Sequence, residues 1–286
     1  MSIEQGPLTQ LPDADLISEQ ISAHDPVGMQ VHTFEQLGST STWLREQARE
    51  LAQEDEVAVA RRRLHLCVTD WQSAGVGRRG KQWQAKAGNV MFSLLSFSDK
   101  PARELVGLSL VTGIAVAECL QEVAGEPLQL KWPNDLILAD AKLGGLITEL
   151  GVVPSMIEGQ KCTQLLTGVG INLLHDEDVQ GLGIGATSLE AIGVSSSRQD
   201  RDVLVARLAA RIVLEHRRFE DAGWSVFAPR WAALDWLQGK EVLIHRENST
   251  EQALARGVNE EGALLVERSG EITPVYSGNV SIRPTV

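Results

Sequence analysis

The spacing of apolar and polar positions changes several times along this chain, and each change marks an element. Residues 1–30 are polar and carry Pro7, Pro12 and Pro26; only Ala14 to Ala23 shows a short helical spacing, so the segment reads as an arm rather than a domain. Trp43, Leu44, Ala48 and Leu51 recur at helical spacing behind the hydroxyl run Ser39-Thr40-Ser41-Thr42. Such hydroxyls accept from the first free N–H groups of a helix, which predicts one starting near Thr40. Leu66 to Gln72 reads as a strand running straight into a glycine-rich basic loop, Ser73 to Trp83, and Val90 to Phe97 as another strand. Leu105, Leu108, Val111, Thr112, Ala115, Val116, Cys119 and Leu120 predict a long helix with a wide apolar face.

Leu128, Leu130 and Trp132 alternate with Gln129 and Lys131, a half-buried strand that should stop at Pro133, whose nitrogen has no hydrogen for the ladder. Asn134-Asp135 makes the bend. Leu136 to Leu138 and Leu146-Ile147 flank Ala139-Asp140-Ala141, which puts Lys142 at the start of a returning strand, with Gly144 and Gly145 leaving bare backbone behind it. Thr163 to Leu174 supplies a further strand carrying Gly168, Gly170 and Asn172, and Val203 to Phe219 and Val226 to Leu237 read as helices. Beyond Gly239 the segments shorten to Glu241–His245, Glu251–Val258, Ala263–Glu267 and Glu271–Tyr276, separated by turn residues, which predicts a small all-β domain. The expected division is an arm over 1–33, a larger α/β unit over 34–238 and a β domain over 239–286.

Composition narrows the function. The 286 residues, 43% of them hydrophobic, suffice for two domains with a real core. A formal net charge of -12 without a basic stripe argues against binding nucleic acid through its phosphates. Cys67, Cys119 and Cys162 are odd in number, far apart and set in apolar stretches, so they read as reduced thiols rather than a disulfide framework or a zinc site. No run approaches the roughly 20 apolar residues that span a bilayer, and no basic segment with an apolar core opens the chain, so a cytoplasmic protein without membrane contact is expected. The histidines form no H-E-x-x-H cluster and nothing supports a Ser-His-Asp triad.

Positive chemistry concentrates in two places. Lys131, Asp135 and Lys142 put two cations and a carboxylate around one short hairpin, a constellation for handling a reactive anion. In the glycine-rich loop, Gly75, Gly77 and Gly80 permit close backbone approach while Arg78, Arg79 and Lys81 offer charge for phosphate oxygens. The spacing is neither a Walker A loop nor a dinucleotide fingerprint. Taken singly, each feature has a plainer reading: strand-end lysines, an Asx turn at Asp135, a solvated Gly/Arg turn, hydroxyls that only cap a helix, and a solvated Arg61-Arg62-Arg63. Trp71, Trp83 and Trp132 read equally as core or as walls of a flat pocket.

The pieces occur together in one order. Ser39-Thr40 opens a helix, Gln72-x-x-Gly75-x-Gly77-Arg78-Arg79-Gly80-x-x-Trp83 follows, then Lys131-Trp132-Pro133-Asn134-Asp135 with Lys142-Leu143-x-Gly145, then Gly168-x-Gly170-Ile171-Asn172. From about Phe34 to the C-terminus this resembles biotin protein ligase. The resemblance implies an α+β fold, with a mixed-sheet biotin/lipoate ligase-like catalytic domain and a small C-terminal SH3-like β-barrel. It implies that biotin's carboxylate is joined to the α-phosphate of ATP with Mg²⁺, giving biotinyl-5′-AMP. A lysine of a biotin carboxyl carrier protein, from acetyl-CoA carboxylase or another biotin-dependent carboxylase, then takes the biotinyl group. It places Arg78 and Lys142 as the cations of the reaction and Asp135 either at Mg²⁺ or as base for the incoming lysine. Ser39, Thr40, Ser41, Gln72, Gly75, Val76, Gly77, Arg78, Trp83, Lys142, Gly145, Gly168 and Gly170 fall on biotin contacts, and Arg78, Arg79, Lys131, Asn134, Lys142 and Asn172 on ATP, Asn172 at the adenine. No residue is assigned as a protein ligand to metal.

Three positions depart from the family pattern. Val76 stands where the loop usually has arginine, Ser41 where asparagine follows Ser-Thr, and Ala186 where some members place a tryptophan on the adenine. There is also an insertion around Arg61 to Leu66. The bifunctional members carry a winged helix-turn-helix ahead of the catalytic domain, and residues 1–33 leave no room for one, so no DNA binding is expected. Two alternatives stand beside the main reading: a lipoate-type acyl-adenylate ligase, and a non-catalytic biotin-binding module, the latter motivated by Val76. A homodimer through the sheet's exposed edge strand is open to the chain.

Overall fold

The structure is a computed structural model and describes residues 9–23, 28–51, 64–154, 161–175, 184–246, 249–277 and 280–284. Arg61, Arg62 and Arg63 lie outside them, as does the side chain of Cys162. The chain divides into two compact units: residues 1–102, 147–180 and 187–210 form the first, and residues 103–146, 181–186 and 211–286 the second.

In the first unit, strands β1 (Met29–Leu37), β2 (Leu64–Gln72), β5 (Val90–Ser98), β9 (Lys161–Ile171) and the latter part of β8 (Ala141–Pro154) lie side by side in that order. β1 runs parallel to β2, while β2–β5 and β5–β9 are antiparallel, so the sheet is mixed. Helix α2 (Thr40–Leu51) packs on it through Leu44 and Ala48, which meet Cys67, Leu95 and Leu166 in a buried cluster bordered by Phe34, Leu37, Trp43 and Phe97. Its start fits the hydroxyl run. Helix α1 (Ala14–Ser22) is capped by Asp13, whose Oδ1 accepts from Leu16 N–H at 3.0 Å, and buries Ile17 and Ile21. Two short strands, β3 (Gly75–Val76) and β4 (Gln82–Trp83), make a separate ribbon.

In the second unit, β6 (Leu128–Lys131), β7 (Asp135–Leu138) and the first part of β8 form an antiparallel meander against helix α3 (Leu108–Ala124). α3 starts three residues later than the apolar pattern suggests, because Gly107 takes a left-handed φ of 96° before it. Helix α4 (Arg198–Ala222) is longer than expected and continues from the first unit into the second. The expected 226–237 helix shortens to α5 (Ala228–Leu234): Asp235 turns extended and bridges Leu130, and Trp236 N–H donates to Leu130 O at 2.9 Å. A backbone partner on β6 outcompetes another helical turn.

Five strands finish the chain: β10 (Glu241–His245), β11 (Thr250–Val258), β12 (Leu264–Arg268), β13 (Glu271–Val275) and β14 (Ser281–Pro284). They form an antiparallel sheet in the order β13-β12-β11-β10-β14. Among the described residues β13 and β14 do not pair, so this SH3-like unit is open rather than a closed barrel. β14 carries too little apolar pattern to be read from the sequence.

Candidate active site

In the first unit, a hydroxyl and amide cluster forms where β2 ends. Beyond Gln72 the ladder to β1 continues as Ser73 N–H to Leu37 O and Ala74 N–H to Gly38 O, which brings the N-terminus of α2 beside Gln72. Gln72 Oε1 accepts from Thr40 N–H at 2.9 Å and from the Thr40 hydroxyl at 3.3 Å. The side-chain amide therefore satisfies a helix donor that has no partner within α2. Ser39 does the work of an N-cap, with its carbonyl taking Trp43 N–H at 3.0 Å and its Oγ facing Thr42 N at 3.4 Å. The hydroxyls of Thr40 and Ser41 both reach Ser93 Oγ at 2.8 Å. Ser93, fully buried on β5, is directly opposite Gly168 of β9, and a Cβ added at Gly168 would come within 3.0 Å of Ser41 Oγ.

The glycine-rich segment is a hairpin rather than an irregular loop. Gly75 pairs with Trp83 and Val76 with Gln82, and Gly77 N–H donates to Lys81 O at 2.7 Å. Arg78 to Gly80 make one tight turn in which Arg79 adopts a left-handed φ of 60°. Arg79 is exposed, Arg78 half-buried, and Val76 is 45% exposed. Trp83 closes over β9: a Cβ at Gly170 would lie 2.6 Å from its ring carbon Cε2. Trp83 Nε1 is buried and has no hydrogen-bond partner among the described residues.

Asn172 follows β9. Its Nδ2 donates to Thr187 O at 3.1 Å and its carbonyl accepts from Leu189 N–H at 3.0 Å, so it fastens the returning chain. Asn89, unremarked in the sequence, is its neighbour in function: buried, it accepts from Leu173 and Leu174 N–H and donates to Lys86 O.

In the second unit lies the ionic hairpin. Lys131 and Asp135 are direct partners across β6 and β7, which puts their side chains on one face. β8 would carry Lys142 to the other face, were its pairing regular. The register with β7 shifts, however, from Leu136↔Gly144 to Ile137↔Lys142, so Leu143 is an extra residue and Lys142 returns to the face of Asp135. The result is an ion triad, with Lys142 Nζ 2.7 Å from Asp135 Oδ1 and Lys131 Nζ 3.3 Å from Oδ2. The carboxylate is 16% exposed and both its oxygens are engaged. Burial by itself raises its pKa, but the charges and hydrogen bonds of Lys142 and Lys131 outweigh that and hold it below the ordinary carboxylate value.

Gly145, opposite Asp135, adds no side chain to that face. Asn134 donates through Nδ2 to Leu146 O at 2.8 Å, and its carbonyl accepts from Leu146 N–H at 2.9 Å, so it staples the hairpin. Trp132 is buried, its Nε1–H given to Gly262 O at 3.0 Å, which makes it core rather than wall. The Asx-turn alternative for Asp135 gives way to the triad; the bend belongs to Trp132 to Asn134, where Asn134 N–H meets Lys131 O. Ala186 bridges Lys142 by backbone, with Lys142 N–H on Gly185 O at 3.2 Å. Among the described residues no three His, Cys, Asp or Glu side chains converge as a metal cage.

Residues 34–172 match the model of the biotin/lipoate A/B protein ligase family, and residues 238–283 that of the biotin protein ligase C-terminal domain. The chain is 32% identical over 278 residues to the bifunctional ligase/repressor BirA of Salmonella typhimurium, covering 96% of this chain and 79% of that one. It is 32% identical over 219 residues to BirA of Escherichia coli, covering 76% and 66%. Its fold is similar to that of the biotin protein ligase from Aquifex aeolicus in complex with biotin and ATP, with a TM-score of 0.66, 26% identity, and coverage of 90% of this chain and 99% of that one.

Proposed function

Because the chain belongs to the biotin/lipoate A/B protein ligase family, we propose that it is a biotin protein ligase, activating biotin with ATP and transferring it to a lysine of a biotin carboxyl carrier protein. The observation that carries this reading is the ion triad, in which one half-buried carboxylate holds two lysines on one face of a hairpin. Adenylation brings biotin's carboxylate against the α-phosphorus of a polyanion. That repulsion must be offset by cations already in place, since preorganised charge usually supplies the largest part of such catalysis.

In this reading Lys142 and Lys131 of the triad carry positive charge for the carboxylate and phosphate oxygens, and Arg78 of the glycine-rich hairpin is a further cation for the phosphates. The carboxylate oxygen of biotin attacks phosphorus, the bond to pyrophosphate breaks, and biotinyl-5′-AMP forms. The ε-amine of the carrier lysine then attacks the acyl carbon, expelling AMP and leaving an amide. Asp135 serves as the fixed counter-charge of both lysines. With each oxygen engaged and its pKa held low, it is a poor base and a poor metal ligand. Mg²⁺, which commonly enters on substrate phosphates, would come with ATP and help neutralise its charge.

Ser39, Thr40, Ser41 and Gln72 take the ureido ring, Gly168 and Gly170 flank the valeryl chain, and Gly145 keeps the face of Asp135 clear of a side chain. Trp83 covers Gly170, and the hairpin Gly75 to Trp83 with Val76, Gly77 and Arg79 shields the acyl-adenylate from water. Asn172, whose amide is committed to Thr187, sets the backbone where adenine rests. No described helix is long and apolar enough to cross a membrane, and we separately propose a cytoplasmic location for the ligase. A second copy pairing along β1, the edge of its sheet, is the assembly we favour, tested by sedimentation.

The test is incubation of the purified protein with biotin, Mg-ATP and a carrier domain, reading intact acceptor mass, with lipoate in place of biotin and omission of ATP as controls. An ATP-dependent gain of one biotinyl group is expected. Lipoyl transfer in its place, or biotin binding without transfer, would overturn the reading.

A further inference from the structure

Four hydrogen bonds around Ser93 have a determined direction. A carboxamide oxygen only accepts, and Gln72 Oε1 takes both the backbone N–H and the hydroxyl of Thr40. The backbone contact also fixes which end of the amide is oxygen, because an NH₂ group there would oppose an N–H. Thr40 has one hydroxyl proton, and it is spent on Gln72. In the 2.8 Å contact between Thr40 and Ser93 the donor is therefore Ser93. Ser93's proton is spent in turn, so in the 2.8 Å contact between Ser41 and Ser93 the donor is Ser41. The protons run one way, from Ser41 through Ser93 and Thr40 to Gln72.

We propose that Ser93 is a positioning residue that polarises the ligand-binding cluster, leaving Ser41 Oγ as a pure acceptor and the amide NH₂ of Gln72 as the donor presented to substrate. Ser93 and Thr40 are 0% and 2% exposed, so neither hydroxyl has water as an alternative partner and the direction is locked by burial. Ser41 is half-buried at the open end of the chain, above the bare backbone of Gly168. The ligand edge that complements an acceptor beside an amide donor is an N–H next to a C=O, the edge of a cyclic urea. The inference rests on the ligase reading and adds to it a residue that meets no substrate itself. Without Ser93, the Ser41 hydroxyl loses its acceptor and turns its own proton toward a ligand N–H.

The test is a double-mutant cycle on the full chain with Ser93→Ala, Ser41→Ala and the double variant. Biotin affinity is read by calorimetry, steady-state kinetics with a carrier domain by acceptor mass, and folding by thermal melting. Ser93→Cys, nearly isosteric but a weak donor and acceptor, accompanies Ser93→Ala in case the latter fails to fold. A lost hydrogen bond with an opposed proton corresponds to roughly tenfold in affinity.

Biotin binding and KM should weaken roughly tenfold in Ser93→Ala and in Ser93→Cys, with kcat at saturating biotin held within about twofold. The double variant should bind no more weakly than Ser93→Ala alone, because Ser93 acts on the ligand through Ser41. Folded Ser93 variants with wild-type affinity, or effects of Ser41→Ala and Ser93→Ala that multiply, would overturn the relay while leaving the ligase intact. Failure of the wild-type chain to bind biotin would remove both.

Discussion

Asp135 was readable as part of a motif, but its role was not. The sequence places Lys131, Asp135 and Lys142 near one hairpin; only the extra residue at Leu143 decides that Lys142 shares the carboxylate's face. A one-residue change in register inverts every facing, and no spacing rule in the sequence signals it. Asp135→Asn should lower adenylation of biotin by roughly 10²–10³, as the lysines lose the charge that holds them over the reacting anions. Transfer from preformed biotinyl-5′-AMP should fall less than about threefold, since a carboxylate with both oxygens engaged and a depressed pKa does not accept the lysine's proton. Single-turnover assays of the two half-reactions distinguish the roles, and a matched loss in transfer would restore the base. Gly170 gives a second case. Gly170→Ala must displace Trp83, whose ring carbon lies 2.6 Å from the new Cβ, at a cost of about 1–3 kcal/mol in packing. The expected outcome is a raised KM for biotin together with changed tryptophan fluorescence; an unchanged spectrum would show that Trp83 does not rest there. Ser93 and Asn89 were invisible beforehand because a small polar residue inside an apolar strand or turn carries no spacing of its own.

At the scale of elements, periodicity read most of the chain correctly, and its errors lie where tertiary partners intervene. α2, β2, β5 and the 128–147 hairpin stand where the apolar pattern puts them, whereas the 226–237 helix loses its end to the β6 backbone at Asp235 and Trp236. Between helices α3 and α4, a buried pair sets a pH limit on stability. His216 Nε2 lies 2.8 Å from Thr112 Oγ1, and that hydroxyl donates to Leu108 O at 3.0 Å, so the imidazole supplies the proton. Burial pushes the His216 pKa down from 6.5 to about 4. The neutral ring is the form the fold accepts, while the unfolded chain gains a proton below its ordinary pKa. Stability from this site is thus complete above about pH 6.5 and is lost as pH falls toward 4, by about 3 kcal/mol in all. Urea unfolding of the wild type and His216→Gln between pH 7 and 4 should show the variant losing less stability on acidification. Parallel curves would remove His216 as the cause.

Over the whole first unit, residues far apart in sequence are bound by one buried charge cluster that no local pattern announced. Arg201 on α4 pairs with Asp70 on β2 and with its neighbour Asp202, all three almost completely buried, and Asp202 Oδ2 accepts from Asp13 N–H at 2.8 Å while Asp70 Oδ2 accepts from Gln10 N–H at 3.1 Å. The segment that the sequence presents as a polar arm is thereby tied through Gln10 to the strand that ends in Gln72 and through its helix cap, Asp13, to α4. Both carboxylates share the Arg201 guanidinium, Arg198 stands 3.7 Å from Asp202 at the rim, and the backbone N–H groups of Gln10 and Asp13 donate to the second oxygens, so docking the arm adds one donor to each carboxylate. Arg201→Ala removes the only side-chain cation that the described residues place on Asp70 and the nearer of two on Asp202, and should cost about 3–5 kcal/mol of unfolding free energy. Asp13→Ala keeps its N–H bond to Asp202 and loses only the helix cap and an exposed ion pair to Arg198, so about 1 kcal/mol is expected. Urea midpoints for the two variants rank the effects. If they destabilise equally, the arm is held by its apolar contacts at Ile17 and Ile21, and the buried charges are spectators to its docking.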